Sequence, residues 1–125
     1  MSIVCQIAAT LAGLLHIGIF YLESVVFTKP STYRRFLVAD DQQAAVIAPW
    51  AFNQGFYNLF LGIGTLTGVL VWLAGKPHQG QALIGFGCGC MLAAALVLVG
   101  SDRRMARAAV TQGLLPLIAL ATIWS

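Results

Sequence analysis

Four long apolar runs, separated by short polar stretches, constrain this chain more than any other feature. They cover about residues 2–27, 49–74, 81–99 and 105–124. An α-helix needs about 20 apolar residues to cross a hydrocarbon core of roughly 30 Å. A lone strand at that depth would leave its backbone groups unpaired, so helices are required. Composition agrees, since 59% of the residues are hydrophobic and only 9% charged, against roughly 25% charged in soluble domains. A soluble chain of this length has too high a surface-to-volume ratio to hide so much apolar surface, and disorder needs the opposite composition. The fold class that follows is all-α: an integral membrane antiparallel four-helix bundle, with residues 1–125 forming a single transmembrane domain.

The connections suit antiparallel neighbours. Lys29, Pro30, Ser31 and Thr32 end the first helix; Lys76, Pro77 and His78 read as a tight turn; Ser101, Asp102, Arg103 and Arg104 join the last two runs. Only the first connection is long. Within it, Asp40 and Asp41 resemble an N-cap, so extra helical turns are expected over residues 41–48, with Pro49 as a kink or break. The first run does not read as a cleaved signal peptide, because it lacks a basic leader and carries His16 and Glu23.

Charge sets an expected orientation. Lys29, Arg34, Arg35, Arg103, Arg104 and Arg107 lie in the loops after the first and third runs, and Lys76 alone lies on the other side. The positive-inside rule places the six in the cytoplasm, which makes this a multi-pass protein of a bacterial inner membrane with both termini periplasmic. Trp72 and Trp124 then fall near the outer ends and Trp50 near the inner end, as interfacial aromatics do.

Polar residues inside the runs are the candidate site. His16 and Glu23 are seven apart, which places them about 20° apart around a helix and about 10 Å apart along it. Ionisable side chains within a span cost about 2.5–3.5 kcal/mol on insertion scales and face a bundle interior or a wet cavity. They are the candidate catalytic pair, as the only proton carriers available within the bundle. The second run opens with Asn53-Gln54-Gly55-Phe56-Tyr57-Asn58 and the fourth holds Gln112 four residues before Pro116. Carboxamides donate and accept, so Asn53, Gln54, Tyr57, Asn58 and Gln112 are candidate ligand-binding residues, with hydrogen-bond glue between helices as the competing role. Glu23, Asn53, Gln54, Asn58 and Gln112 share the cytoplasmic half and are expected to converge. Arg103, Arg104 and Arg107 form the charge at that mouth, where one of them could reach Glu23. A blind polar pocket opening inward follows. Gly64/Gly68 and Gly85/Gly89 read as small-residue packing contacts.

Several classes are disfavoured. The net charge of +3 falls in short clusters rather than a stripe, which is no nucleic-acid signature. Cys5, Cys88 and Cys90 lack CxxC spacing and read as small apolar fillers. A metal centre would have only His16 and Glu23 within the bundle, where zinc usually takes three or four ligands. No cofactor is implied.

The elements His16-Ile17-Gly18-Ile19-Phe20-Tyr21-Leu22-Glu23, Asn53-Gln54-Gly55-Phe56-Tyr57-Asn58-Leu59-Phe60-Leu61 and Gln112-Gly113-Leu114-Leu115-Pro116 carry a resemblance over nearly the whole chain. In them the chain resembles a family of small bacterial integral membrane proteins known as domain of unknown function 1304. The Asn-Gln-Gly-x-Tyr-Asn element is the most specific of the three. The resemblance implies four transmembrane helices and assigns no reaction. The chain departs from the pattern at Pro49, in the approach to the second helix.

Three functions fit these residues. The first is a pocket that binds a small amphipathic or lipid-like molecule, and transforms it by acid–base chemistry if it is an enzyme. The second is a structural or accessory subunit of a membrane complex. The third is a small proton-coupled transporter, which the apolar outer half disfavours. The lipid bilayer is the expected partner in all three, with a homo-oligomer or hetero-complex equally compatible.

Overall fold

The computed structural model describes residues 1–125 and contains helices and turns only. Helix α1 runs from Ile3 to Phe20 and continues through a π-helical turn, Tyr21–Val25. A short helix α2, Pro30–Tyr33, follows, and a 3₁₀ turn, Arg34–Phe36, ends in Leu37. Helices α3, Asp41–Leu73, and α4, Pro77–Ser101, make up the middle of the chain. A 3₁₀ turn, Arg103–Met105, leads into α5, Ala106–Thr122. The four long elements are each long and apolar enough to cross a membrane.

These four form an antiparallel ring in the order α1, α3, α4, α5. Gly13 of α1 meets Gly62 and Leu66 of α3; Gly68 of α3 meets Gly80 and Ile84 of α4; Gly113 of α5 meets Ala95 of α4. The ring closes where the Cys5 Sγ donates to the carbonyl of Ala119 and the Ser2 hydroxyl donates to that of Thr122. Helices approach this closely because the seams are glycine. A Cβ on Gly62 would stand 2.7 Å from the carbonyl oxygen of Gly13, and one on Gly80 would stand 2.7 Å from that of Gly68. Of the glycines expected to pack, Gly68 does so tightly and Gly85 lies beside Ile123, whereas Gly64 and Gly89 face open space. Helical spacing alone does not say which stripe turns inward.

The core has two parts. The larger lies toward the termini and is built from small or flexible side chains such as Cys5, Ala9, Ala12, Cys88, Met91 and Ala119. The smaller joins the α1–α3 connection to α3 through Phe27, Tyr33, Val38, Ala44 and Ala51.

That second core explains where the helix boundaries differ from expectation. Asp40 caps α3, its Oδ1 accepting from the Gln43 N–H at 2.9 Å, and α3 then continues through Pro49 unbroken. Proline removes one backbone donor, but Ala44 and Ala51 are buried against Tyr33 and Phe27 on either side of it. Packing thus holds the turns that propensity would interrupt. Pro30 and Pro77 likewise begin helices, α2 and α4, as their fixed φ and missing donor permit. The turn between α3 and α4 falls instead on Gly75, whose φ of +87° glycine adopts without strain. Leu37 is the one non-glycine residue in the left-handed region, with φ 62°, a conformation costing roughly 1–2 kcal/mol for an L-residue.

Candidate functional site

The π-helical turn of α1 builds the site. Its backbone bonding reaches five residues back, with the Val26 N–H donating to the carbonyl of Tyr21 at 3.2 Å. Such a turn changes the direction of side chains relative to a continuous α-helix, and recurs at functional sites. Here it presents Glu23 and Ser24 to α3. The Asn58 Nδ2 donates to Glu23 Oε1 at 2.5 Å. The Ser24 hydroxyl donates to the carbonyl of Phe52 at 2.7 Å. The Ser24 contact depends on Gly55, because a Cβ there would run into the Ser24 hydroxyl. Phe20, Phe52, Phe56 and Phe60 form a run of edge-on and tilted ring contacts beside them, beginning with Phe20 on Phe56 at 5.1 Å.

Glu23 has no cationic partner, since the single ion pair of the chain joins Arg104 to Asp102. Its Oε2 makes no hydrogen bond within the protein. The carboxylate borders a groove of about 320 Å³ whose walls include Ser24, Phe27, Ala48, Pro49 and Phe52. Ala45 also lines this groove, and its carbonyl lacks the helical donor that Pro49 cannot supply. The groove therefore joins the Glu23 carboxylate to the apolar side chains of Phe27, Ala48, Pro49 and Phe52.

The other candidate residues are placed differently. His16 is 2% exposed and its Nδ1 lies 2.9 Å from the carbonyl oxygen of Ala12, one turn earlier. It does not border the groove, so the helical alignment of His16 with Glu23 does not bring the two to one cavity. Asn53, Gln54 and Tyr57 are exposed, and none makes a side-chain hydrogen bond. Gln54 contributes only its carbonyl, 3.4 Å from Asn58 Nδ2. Asn53, Gln54 and Tyr57 lie on a face of α3 that the rest of the chain leaves uncovered, whereas Asn58 meets the end of α1. The expected convergence of five residues reduces to the pair Glu23–Asn58.

Gln112 faces a second and larger pocket, of about 520 Å³, between the end of α1 and the start of α5. Arg35, Arg104 and Arg107 line it, with Ile19, Leu22 and Phe36 among its apolar walls. Arg103 is exposed and does not line it. Two of the three arginines expected beside Glu23 thus line a pocket with Gln112 instead, and Arg104 is bound to its own neighbour. Its Nε donates to Asp102 Oδ1 at 3.1 Å and its Nη2 to Oδ2 at 2.8 Å. That contact holds the Asp102 carboxyl below its ordinary range. Arg35 carries no signal in the sequence that it belongs beside Gln112. It belongs to the long connection, and only the folding of that connection onto α1 and α5 brings it to Gln112.

No three His, Cys, Asp or Glu side chains gather closely enough to hold a metal ion. The three cysteines are unpaired. Thr65 is fully buried and its hydroxyl finds no partner, although it lies against Gly87 of α4. A family model described as a protein of unknown function, DUF1304, matches residues 10–124, so the chain belongs to that family. No curated protein and no solved structure matches it.

Proposed function

We propose that this member of the DUF1304 family is a multi-pass protein of the bacterial inner membrane that binds a small amphipathic molecule at the cytoplasmic end of its bundle. One observation carries the reading: Glu23 presents a half-buried carboxylate with one oxygen held by Asn58 and the other unpaired, beside a groove that Phe27, Ala48, Pro49 and Phe52 help to line. A group so placed recognises a hydrogen-bond donor or a cationic head, while Phe27 and Phe52 accommodate an apolar body. Both termini lie on the periplasmic side in this reading, because Lys29, Arg34, Arg35, Arg103, Arg104 and Arg107 share the opposite end. Should the bound molecule be transformed, proton transfer at this groove falls to Glu23, since His16 does not reach it.

Mass spectrometry of molecules copurifying with the wild-type chain, Glu23→Gln and Asn58→Leu tests the reading. A small amphiphile enriched with the wild type and lost from Glu23→Gln supports it. An identical set of molecules with all three proteins overturns it.

A second reading, an accessory subunit, draws on the exposed face of α3. Asn53, Gln54 and Tyr57 present three hydrogen-bonding side chains outward and unpaired, as a seam for a partner helix would. Site-directed photocrosslinking from position 57 in membranes distinguishes it, since a discrete protein adduct is expected there only if a partner covers that face. The transporter reading gains no support from the site, whose polar groups are confined to one end.

A further inference from the structure

We infer that the pocket between α1, α5 and the α1–α3 connection is a binding site for the headgroup of an anionic phospholipid from the leaflet that surrounds it. This rests on the membrane reading above, and it concerns a different cavity from the groove at Glu23.

Charge and shape point to this occupant. Arg35 from the α1–α3 connection, Arg104 from the turn before α5 and Arg107 from the first turn of α5 line one cavity of about 520 Å³. Only Arg104 has a carboxylate partner, Asp102. Its Nη1 makes no hydrogen bond, and Arg35 and Arg107 have all their side-chain donors free. Guanidinium groups match phosphate oxygens with paired, charge-assisted hydrogen bonds. Gln112 and Thr111 add polar groups at the wall of the same pocket.

The rest of the lining excludes a free polar anion as the best fit. Ile19, Leu22, Phe36, Leu37 and Met105 form an apolar wall continuous with the flank of α1. A phosphate held by the arginines would thus carry its glycerol and first methylenes along that wall. Leu37 is held there in the left-handed conformation and remains 46% exposed. A strained, exposed leucine at the rim is poorly explained by packing within the chain, whereas it would cover the apolar part of a bound lipid. In the membrane reading the arginines fall at or beyond the ends of the candidate spans, at the level of lipid phosphates.

The test uses the full chain in detergent and native mass spectrometry. The probes are phosphatidylglycerol, phosphatidylcholine of the same acyl chains, and inorganic phosphate. Wild-type protein should retain phosphatidylglycerol over phosphatidylcholine by about tenfold or more. Arg35→Gln with Arg107→Gln should abolish that preference. Arg34→Gln with Arg103→Gln removes the same charge outside the pocket and should preserve it. Equal retention of the two lipids by the wild type overturns the inference. So does a control double variant that loses the preference as fully as the pocket variant. Displacement of phosphatidylglycerol by millimolar-range inorganic phosphate shows a free-anion site instead, and overturns the lipid assignment. If the pocket variant fails to fold, the wild-type lipid comparison and the phosphate competition still decide. Release of the protein from membranes by alkaline carbonate defeats the membrane reading. Firm retention in the membrane with no lipid preference defeats only this one.

Discussion

Asn58 on α3 donates to the Glu23 carboxylate on α1 across 35 residues of sequence, at 2.5 Å. The pair separates two roles that one substitution would confuse. Glu23→Gln keeps an acceptor for Asn58 but removes the charge, so thermal stability should hold while any bound cationic or donor headgroup is lost. Asn58→Leu removes the donor and should lower stability by about 1–2 kcal/mol. Thermal melts of both variants check this. A fall in stability for Glu23→Gln as large as for Asn58→Leu would show that the charge itself holds the helices.

The glycine seams should be sharply selective. Gly55→Ala meets the Ser24 hydroxyl and Gly62→Ala meets the backbone of Gly13. Each should destabilise by about 1–3 kcal/mol through forced separation of α1 and α3. Gly64→Ala enters open space and should stabilise by up to about 1 kcal/mol, as glycine-to-alanine does inside a helix. Reversible unfolding in mixed micelles would rank the three, and a destabilised Gly64→Ala would place a partner on that face.

A pH dependence follows from the connection. The Tyr33 hydroxyl donates to Asp41 Oδ1 at 2.7 Å, and that hydrogen bond raises the phenol above its ordinary value. A group raised on folding contributes stability below its unfolded pKa of about 10, and loses it as pH rises through the folded value. The tyrosinate absorbance assigned to Tyr33 by difference from Tyr33→Phe should therefore appear late. Asp41→Ala should shift it to lower pH. An unchanged titration in Asp41→Ala would remove the hydrogen bond as the cause.

Orientation is open to direct measurement. With Cys90 replaced by Ser, an impermeant maleimide should label Ser125→Cys in intact spheroplasts and should label Ser31→Cys only after lysis. Labelling of Ser31→Cys in intact spheroplasts would invert the topology and place the Glu23 groove outside.

Much of this architecture is legible in one dimension. The apolar runs alone require four helices, because backbone groups in an apolar environment must be satisfied within each segment. Short connections make neighbours antiparallel, and Asp40 marks the start of α3 by the chemistry of its side chain. Even Glu23 and Asn58 stand out in the sequence as polar groups where apolar ones are expected.

Which of those polar groups meet is settled by tertiary contacts. Helical geometry puts His16 in line with Glu23, but the π-helical turn directs Glu23 to Asn58, while His16 bonds within its own helix. Asn53 and Gln54 look equivalent to Asn58 by composition. Their face of α3 is left uncovered by the other helices, outside the seam where Asn58 meets Glu23. Pro49 reads locally as a break, yet burial of Ala44 and Ala51 carries the helix through it. Arg35 joins Arg107 and Gln112 only because the long connection folds back on the bundle. Sequence determines what each segment must satisfy; the packing of segments distant in sequence decides which partner satisfies it, since that depends on close approaches no single segment contains.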